Sequence, residues 1–261
     1  MSPRPSPASV AATLAFCLAV GASLVPFFLV ALLLFLFTAP LDPNRRVLHA
    51  FVCRVCHAFL HLNPLWKVRV EGRERVPGGG AILVANHQSI ADVVACMGLR
   101  RQFKFVSKAS LFSLPVVGWA MSMLRYVRLE RGRPHSTRRM LEDCRAWLRR
   151  GTAVLLFPEG TYAPGEPLLH FKPGAFVLAL DERVPLVPVL LSGTRALVAG
   201  DGPWMAPRAD IRVRVLPPLH PRAGTDPRQL AAEVRALFAR ELDRPTEQAT
   251  NRSLPEVSNT S

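Results

Sequence analysis

The beginning of the chain lacks charge almost completely. No Asp, Glu, Lys or Arg occurs between Arg4 and Asp42, and Val10–Ala39 is dominated by Ala, Leu, Val and Phe. A helix needs about 20 such residues to cross a bilayer, whereas the apolar part of a signal peptide has only about 7–15. The sequence therefore predicts a retained membrane anchor over residues 1–42. Pro26, near its middle, leaves two shapes open: one kinked spanning helix, or a helical hairpin that enters the membrane and returns.

Acidic residues are also scarce. The chain has 19 Asp and Glu against 33 Lys and Arg, a net charge of +14 that suits nucleic acid or an anionic membrane surface. The anchor favours the membrane, and we expect no nucleic-acid partner. Only Arg4 precedes the anchor, whereas several basic residues follow it: Arg45, Arg46, Arg54, Lys67 and Arg69. The positive-inside rule therefore predicts a domain on the cytoplasmic face of the cell or inner membrane.

Cysteines are too few and too scattered for a disulfide framework. The five are Cys17, Cys53, Cys56, Cys96 and Cys144, an odd number typical of a reduced compartment.

One cysteine segment has three possible interpretations. Cys53-x-x-Cys56-His57 matches the pattern for covalent haem attachment, and with His61 it could instead hold a metal ion. Haem attachment would need an oxidising compartment, which conflicts with the charge asymmetry. We therefore favour an amphipathic helix on the membrane surface over residues 43–64. Its apolar face would consist of Phe51, Val52, Val55, Phe59 and Leu60.

Beyond the anchor, apolar runs of strand length alternate with segments of helical periodicity. The predicted strands are Trp66–Val70, Ala81–Ala85, Phe103–Ser107, Tyr126–Leu129, Ala153–Phe157, Pro185–Leu191 and Ile211–Leu216. The predicted helices are Val47–Leu62, Ser89–Leu99, Ser136–Arg150, Gly174–Leu180 and Asp226–Leu242. This alternation predicts an α/β fold, one domain over residues 65–245 with a largely buried mixed sheet flanked by helices. Residues 246–261 lose the apolar pattern and are predicted to be a disordered tail.

A histidine and an aspartate five positions apart follow the predicted strand Ala81–Ala85. An imidazole titrates near neutral pH, and a carboxylate on its other nitrogen would fix the tautomer and stabilise the cation. His87 and Asp92 are therefore a candidate general base and its orienting group. They also fit a capping box, in which Ser89 caps a helix and Asp92 bonds to the Ser89 amide. Since no G-x-S-x-G elbow is present, the activated hydroxyl is expected to belong to a substrate.

Four stretches, taken in order, resemble the glycerolipid acyltransferase family. They are Asn86-His87-x-x-x-x-Asp92; Lys108-x-x-Leu111-x-x-x-Pro115-x-x-Gly118 followed by Leu129-Glu130-Arg131; Phe157-Pro158-Glu159-Gly160-Thr161; and Val184-Pro185-Leu186-Val187-Pro188-Val189. The resemblance covers roughly residues 65–220, and the ordered set is far more specific than any one of its members.

The resemblance implies an O-acyltransferase of phospholipid biosynthesis. A fatty acyl group would pass from acyl-CoA or acyl carrier protein to the free hydroxyl of a lysolipid, with 1-acyl-sn-glycerol-3-phosphate as the expected acceptor and phosphatidate as the product. It implies that His87 is the base and that Asp92 supports it, with no metal, cofactor or acyl-enzyme. Arg131 matches the family's phosphate-binding arginine, and Lys108, Arg125 and Arg128 would add to the positive field.

The third stretch would complete the acceptor site. Gly160 would allow close approach of the backbone, while Glu159 and Thr161 would bond the acceptor or neighbouring loops. Two residues depart from the family pattern, Tyr162 where an arginine is frequent and Arg125 where a glycine is usual. Another acceptor, such as a lyso-ornithine lipid or a lysophospholipid, therefore stays open. So does a different class of protein, a non-catalytic basic module that binds membranes.

Overall fold

A computed structural model describes residues 7–161, 168–197, 205–222 and 224–244. The predicted tail lies outside these ranges, as does Tyr162. The helices are α1 (Pro7–Thr38), α2 (Arg46–Leu60), α3 (Ala91–Met97), α4 (Val117–Met123), α5 (Pro134–Arg149), α6 (Gly174–Asp181) and α7 (Pro227–Asp243). The strands are β1 (Trp66–Glu71), β2 (Ile82–Ala85), β3 (Phe103–Lys108), β4 (Val127–Leu129), β5 (Ala153–Leu156), β6 (Leu186–Ser192) and β7 (Ala209–Val215).

The strands form one mixed sheet in the order β1-β7-β6-β2-β5-β3-β4. The five strands from β6 to β4 are parallel to one another, whereas β7 is antiparallel to β6 and parallel to β1. The predicted α/β fold with a mixed sheet is confirmed. Because the five parallel strands point the same way, the segments that follow them meet at one edge of the sheet, called the carboxyl edge below.

Helices cover both faces of the sheet, which explains why every residue of β2 is buried. Alternate side chains of a strand point to opposite faces, so Leu83 and Ala85 pack with residues of α2 and α3, while Ile82 and Val84 pack with residues of α5, α6 and α7. Each buried Val, Leu or Ile contributes about 1.5–3 kcal/mol relative to exposure. The two cores therefore hold the central strands rigidly, and the carboxyl edge with them.

The apolar N-terminal segment is one helix, not a hairpin. Helix α1 continues through Pro26 to Thr38. Within the described residues, its portion Thr13–Thr38 is long and apolar enough to cross a membrane, judged by length and composition. It packs on α2 through Phe27 and on α4 through Phe28, whose ring centroid lies 5.5 Å from that of Trp119.

Helix α2 lies between α1 and α3, so much of its predicted apolar face contacts protein. Phe51 and Phe59 contact Phe27 of α1, and Cys53 lies against Met97 of α3 with 3.8 Å between the sulfur atoms. Burial raises the pKa of Cys53 to about 12, which disfavours the thiolate that a metal would need. Within the described ranges, no three His, Cys, Asp or Glu side chains lie close enough to hold a metal ion. Contact of this helix with a membrane surface stays a prediction.

Helix α4 is an element that the sequence pattern does not predict. Its seven residues make two turns, too few for a helical periodicity to be recognised. Gly118, in its first turn, approaches the preceding loop so closely that a Cβ there would lie 2.3 Å from the carbonyl oxygen of Phe112. Only glycine permits this contact, which explains why the second motif carries a glycine at this position.

Candidate active site

Residues of the first three motifs converge at the carboxyl edge of the sheet. His87 follows β2, Lys108 ends β3, Arg131 follows β4 and Glu159 follows β5. The fourth motif contributes support instead, since its Val187 and Pro188 lie in β6 beside β2. Parallel α/β sheets bind ligands at this edge, so the topology brings together residues that are distant in the sequence.

Asp92 holds the imidazole of His87 from one side. Its Oδ2 atom lies 2.8 Å from Nδ1 of His87 and also accepts the backbone N–H groups of Gln88 and Ser89, at 2.6 and 2.8 Å. The Asp92 side chain is completely buried, while that of His87 is 11 % exposed. Since an ionised carboxylate only accepts hydrogen bonds, Nδ1 is the protonated nitrogen of a neutral His87. Its Nε2 atom is then the basic nitrogen.

The structure contains one half of the predicted capping box, together with the contact to His87. Ile90 is the N-cap residue, and the Asp92 N–H donates to the Ser89 carbonyl and not to its hydroxyl. Asp92 bonds the Ser89 amide as in a capping box, and the Ser89 hydroxyl accepts the N–H of Ala91 at 3.0 Å. Helix α3 begins at Ala91, two residues later than predicted. The cap is therefore what positions Asp92: the first turn of the helix fixes the carboxylate that contacts His87, and the helix dipole favours its negative charge.

Glu159 ties the backbone of the histidine loop to a second loop. Its Oε1 atom accepts the N–H of His87 and its Oε2 atom accepts the N–H of Leu169, both at 2.7 Å. Burial raises the pKa of Glu159, and the hydrogen bonds from the N–H groups of Leu169 and His87 oppose that rise. Of the two contacts predicted for Glu159, the structure contains the one with neighbouring loops.

Two further residues restrain His87, and sequence reasoning assigned them no role. The ring of Phe157 stacks on the imidazole with 4.4 Å between centroids. The side-chain amide of Asn86 donates to the Leu191 carbonyl at 2.9 Å and accepts the Leu191 N–H at 2.7 Å, which joins the end of β2 to β6. Both residues lie in the recognised motifs, but a sequence shows nothing about contacts between strands.

Of the remaining predicted site residues, three are exposed and Gly160 is half-buried. Arg131 and Lys108 are exposed, and neither forms an ion pair with any residue that the structure describes. Thr161 is also exposed, and Gly160 adopts a positive φ of 70°. A Cβ at Gly160 would lie 2.7 Å from Nζ of Lys172, so this lysine is a further cation beside the third motif, one that the sequence did not reveal.

Arg125 lies at the opposite end of β4 from Arg131, and its contribution to the acceptor site stays a prediction. Arg125 precedes β4, whereas Arg131 follows it, so the strand separates them. The guanidinium of Arg125 lies 5.8 Å from the centroid of the Trp147 ring on α5. Arg128 likewise turns to Phe112 and bonds the Ser122 hydroxyl at 3.0 Å. Arg128 itself lies one residue before the end of β4, and its side chain turns to the segment that follows β3.

The chain is similar to proteins of known family. A family model described as Acyltransferase matches residues 67–192. A chloroplastic 1-acyl-sn-glycerol-3-phosphate acyltransferase of Arabidopsis thaliana is 34% identical over 87% of this chain and 64% of its own length. One from Brassica napus is 33% identical over 78% of this chain and 60% of its own length, so the matched part of the chain spans less than two thirds of either plant protein.

A bacterial relative and a solved structure match over most of their length. The 1-acyl-sn-glycerol-3-phosphate acyltransferase of Salmonella typhimurium is 33% identical over 71% of this chain and 78% of its own length. The crystal structure of the 1-acyl-sn-glycerophosphate acyltransferase PlsC from Thermotoga maritima aligns with a TM-score of 0.73, covering 90% of this chain and 96% of that one, at 23% identity. At that identity, the alignment supports the fold.

Proposed function

We propose that this chain, which belongs to the acyltransferase family of these relatives, transfers a fatty acyl group from an acyl thioester to the free hydroxyl of 1-acyl-sn-glycerol-3-phosphate. The product is phosphatidate, which is used in phospholipid biosynthesis. The observation that carries the proposal is the contact of His87 Nδ1 with the buried Asp92 carboxylate, at the edge where the acyltransferase motifs meet.

The chemistry follows from the orientation of the imidazole. Nε2 of His87 takes the proton of the acceptor hydroxyl while the hydroxyl oxygen attacks the thioester carbonyl carbon. The carbon–sulfur bond then breaks, and the proton passes from the imidazolium to the departing sulfur to give the free thiol. Asp92 stabilises the imidazolium between these steps. A substrate hydroxyl as nucleophile makes an acyl-enzyme unnecessary, and the proposed steps use no metal or cofactor.

Two exposed cations suit the acceptor phosphate. Lys108 ends β3 and Arg131 follows the neighbouring strand β4, and neither forms an ion pair within the described part of the chain. A guanidinium binds two phosphate oxygens at once, and an ammonium adds a point charge. The relatives' names specify a glycerol 3-phosphate acceptor, which agrees with an acceptor carrying a terminal phosphate.

The enzyme is associated with a membrane, as its apolar helix and its relatives indicate. We place the catalytic domain on the cytoplasmic face because the basic residues follow the helix instead of preceding it. The lysolipid acceptor then lies in the same leaflet as the site, and acyl-CoA or acyl carrier protein approaches from the cytoplasm as the soluble partner.

The proposal is tested by assaying the purified full chain in detergent with labelled acyl-CoA and acyl carrier protein. The acceptors are 1-acyl-sn-glycerol-3-phosphate, lysophosphatidylcholine, lysophosphatidylglycerol and a lyso-ornithine lipid. We expect labelled phosphatidate as the main product, and we expect His87→Ala to lower its rate by about 10³-fold, since a positioned base supplies about 10²–10⁴.

The matched control is His220→Ala, which removes an exposed imidazole from the loop after β7. It is expected to transfer acyl chains at the wild-type rate. Wild-type turnover by His87→Ala would overturn the mechanism, and a different preferred lysolipid would overturn the acceptor alone. Binding of anionic vesicles without turnover on any acceptor would identify a non-catalytic module instead.

A further inference from the structure

A groove of about 360 Å³ lies along β4, outside the site described above. Three arginines line it, Arg125, Arg128 and Arg150, together with Trp147 of α5 and one carboxylate, Asp143. We call it the arginine groove. The three guanidinium groups are exposed, and none forms an ion pair with a residue that the structure describes.

Two of the three groove arginines lie over one indole. Arg150 and Arg125 lie 5.4 and 5.8 Å from the ring centroid of Trp147, whereas Arg128 lies over Phe112. Nζ of Lys104, whose pKa burial lowers to about 7, lies 4.6 Å from the same indole. The negative face of an indole attracts each cation, but like charges so close repel one another. One exposed carboxylate does not balance them, so an anion in the groove would relieve this repulsion. Guanidinium groups match the oxygen geometry of phosphate in particular.

The groove adjoins the candidate membrane span. Lys104 beneath Trp147 donates to the carbonyl of Asn44 at 2.9 Å, in the turn that follows α1. One wall of the groove is Ser122 of α4, and the same helix exposes Trp119 (52 %) and Val117 (43 %), with Trp119 packed on α1. Apolar and aromatic side chains next to a basic cluster are the arrangement of surfaces that lie at a bilayer interface.

We propose that the arginine groove binds the phosphate of an anionic membrane lipid. It is a second lipid site, separate from the acceptor site. Arg125 and Arg150 precede the parallel strands β4 and β5, whereas Arg131 follows β4, which is about 10 Å long at 3.3 Å per residue. Arg128 lies within β4, between these two ends. A lipid held there and the anchor together give the catalytic domain two attachments to the bilayer, which fixes its orientation as well as its distance.

The test titrates the full chain, in dodecylmaltoside micelles, with dioctanoyl phosphatidylglycerol or dioctanoyl phosphatidylcholine in a calorimeter. We expect saturable binding of phosphatidylglycerol that weakens with salt, and no comparable binding of phosphatidylcholine. The variant Arg125→Gln/Arg128→Gln/Arg150→Gln is expected to bind phosphatidylglycerol at least tenfold more weakly, since cations near an anionic lipid surface each add to the attraction. The corresponding triple lysine variant retains the charges and is expected to bind within about threefold of wild type.

The matched control is Arg222→Gln/Arg228→Gln/Arg240→Gln, which removes three exposed arginines from α7 and the loop before it. Equal weakening in both variants would show a diffuse effect of net charge and overturn the proposal, as would equal binding of the two lipids. Displacement of phosphatidylglycerol by coenzyme A, with a raised KM for acyl-CoA in the groove variant, would assign the groove to the donor. His87→Ala is expected to bind the lipid normally, so failure of the catalytic proposal does not affect this result.

Discussion

Two histidines, His87 after β2 and His49 of α2, show how differently the same side chain is used in two regions of this molecule. His87 stands at the carboxyl edge with an aspartate on Nδ1, and its side chain is 11 % exposed. His49 of α2 is completely buried, with Nδ1 3.0 Å from the Tyr126 hydroxyl and Nε2 3.0 Å from the carbonyl oxygen of Arg101. Burial lowers the pKa of His49 to about 4, aided by the charge of Lys104 and opposed by the Arg101 carbonyl.

The difference teaches that partners and access decide whether a histidine can act as a base. Neutral groups on both nitrogens hold His49 uncharged, and it serves as a hydrogen-bonded link between the helix after the anchor and the sheet. His87 has a carboxylate on one nitrogen and a partly exposed ring, which is the arrangement that the proposed mechanism requires of a base. In the sequence, both are single histidines near apolar residues, so only the spacing to Asp92 distinguishes them.

Of the changes considered, removing the charge of Asp92 should most reduce the difference between His87 and His49 in their ability to act as a base. In Asp92→Asn the amide oxygen still accepts from His87 and the two backbone N–H groups, but the side chain no longer stabilises the imidazolium. We expect kcat to fall by about 10²–10⁴-fold with KM little changed. Oδ1 of Asp92 is buried and has no hydrogen-bond partner among the described residues, so the new amide nitrogen there should also cost about 1–3 kcal/mol of stability. Acyl-transfer kinetics and urea unfolding measure the two effects.

The control for this variant is Asp243→Asn, an exposed carboxylate at the end of α7 that should leave both quantities unchanged. If Asp92→Asn lost stability but kept wild-type kcat, Asp92 would be a helix cap and nothing more. The His87 site would then resemble the His49 site in function.

The fold could be predicted in large part because most of its helices and strands have a recognisable hydrophobic pattern in the sequence. The buried runs of β2, β5 and β6 read as strands, since both faces of the sheet are covered by helices. The strand order could not be predicted, because neighbouring strands such as β2 and β5 are far apart in the chain. Helix α4 escaped prediction because its periodicity extends over only two turns.

The site was predictable where chemistry depends on local spacing. His87 and Asp92 are five positions apart, and one short turn places them in contact. The bonds from Glu159 to His87 and Leu169 span 72 and 10 positions, and no periodicity reports them. The distance between Arg125 and Arg131 has the same origin, because residues that are near in sequence are separated in space when an extended strand lies between them.

A smaller loss of activity is expected when Glu159 is changed, because it positions the base without being one. Glu159→Gln keeps one acceptor oxygen and replaces the other with an amide that would face a backbone N–H. One of the two loops must then be released, either at His87 or at Leu169. We expect kcat to fall by about 10-fold or more while KM for both substrates stays within about twofold, measured in steady-state assays.

The matched control is Glu142→Gln on the exposed face of α5. A large rise in KM for the lysolipid with unchanged kcat would mean that Glu159 binds the acceptor directly, and the two-loop contact would lose its significance for catalysis.

The smallest effect on turnover is expected at His49, where stability in acid should change instead. His49→Gln keeps hydrogen-bonding groups but cannot be protonated, so kcat should stay within about twofold of wild type. In the wild type, the folded pKa of about 4 lies below the ordinary value of 6.5, so the unfolded chain binds the extra proton first. Stability therefore falls as the pH is lowered from about 6.5 to 4, by up to about 3 kcal/mol from this group.

Urea unfolding of the full chain in micelles at pH 7 and pH 4.5 measures this contribution. Carboxylates titrate in the same range, so the informative quantity is the difference between wild type and variant in the stability lost on acidification. His49→Gln should lose about 2–3 kcal/mol less than wild type, whereas His220→Gln, at an exposed position, should lose as much as wild type. An equal loss in His49→Gln would mean that His49 is protonated in the folded protein near its ordinary pKa. Burial against Tyr126 and the Arg101 carbonyl would then not keep His49 neutral.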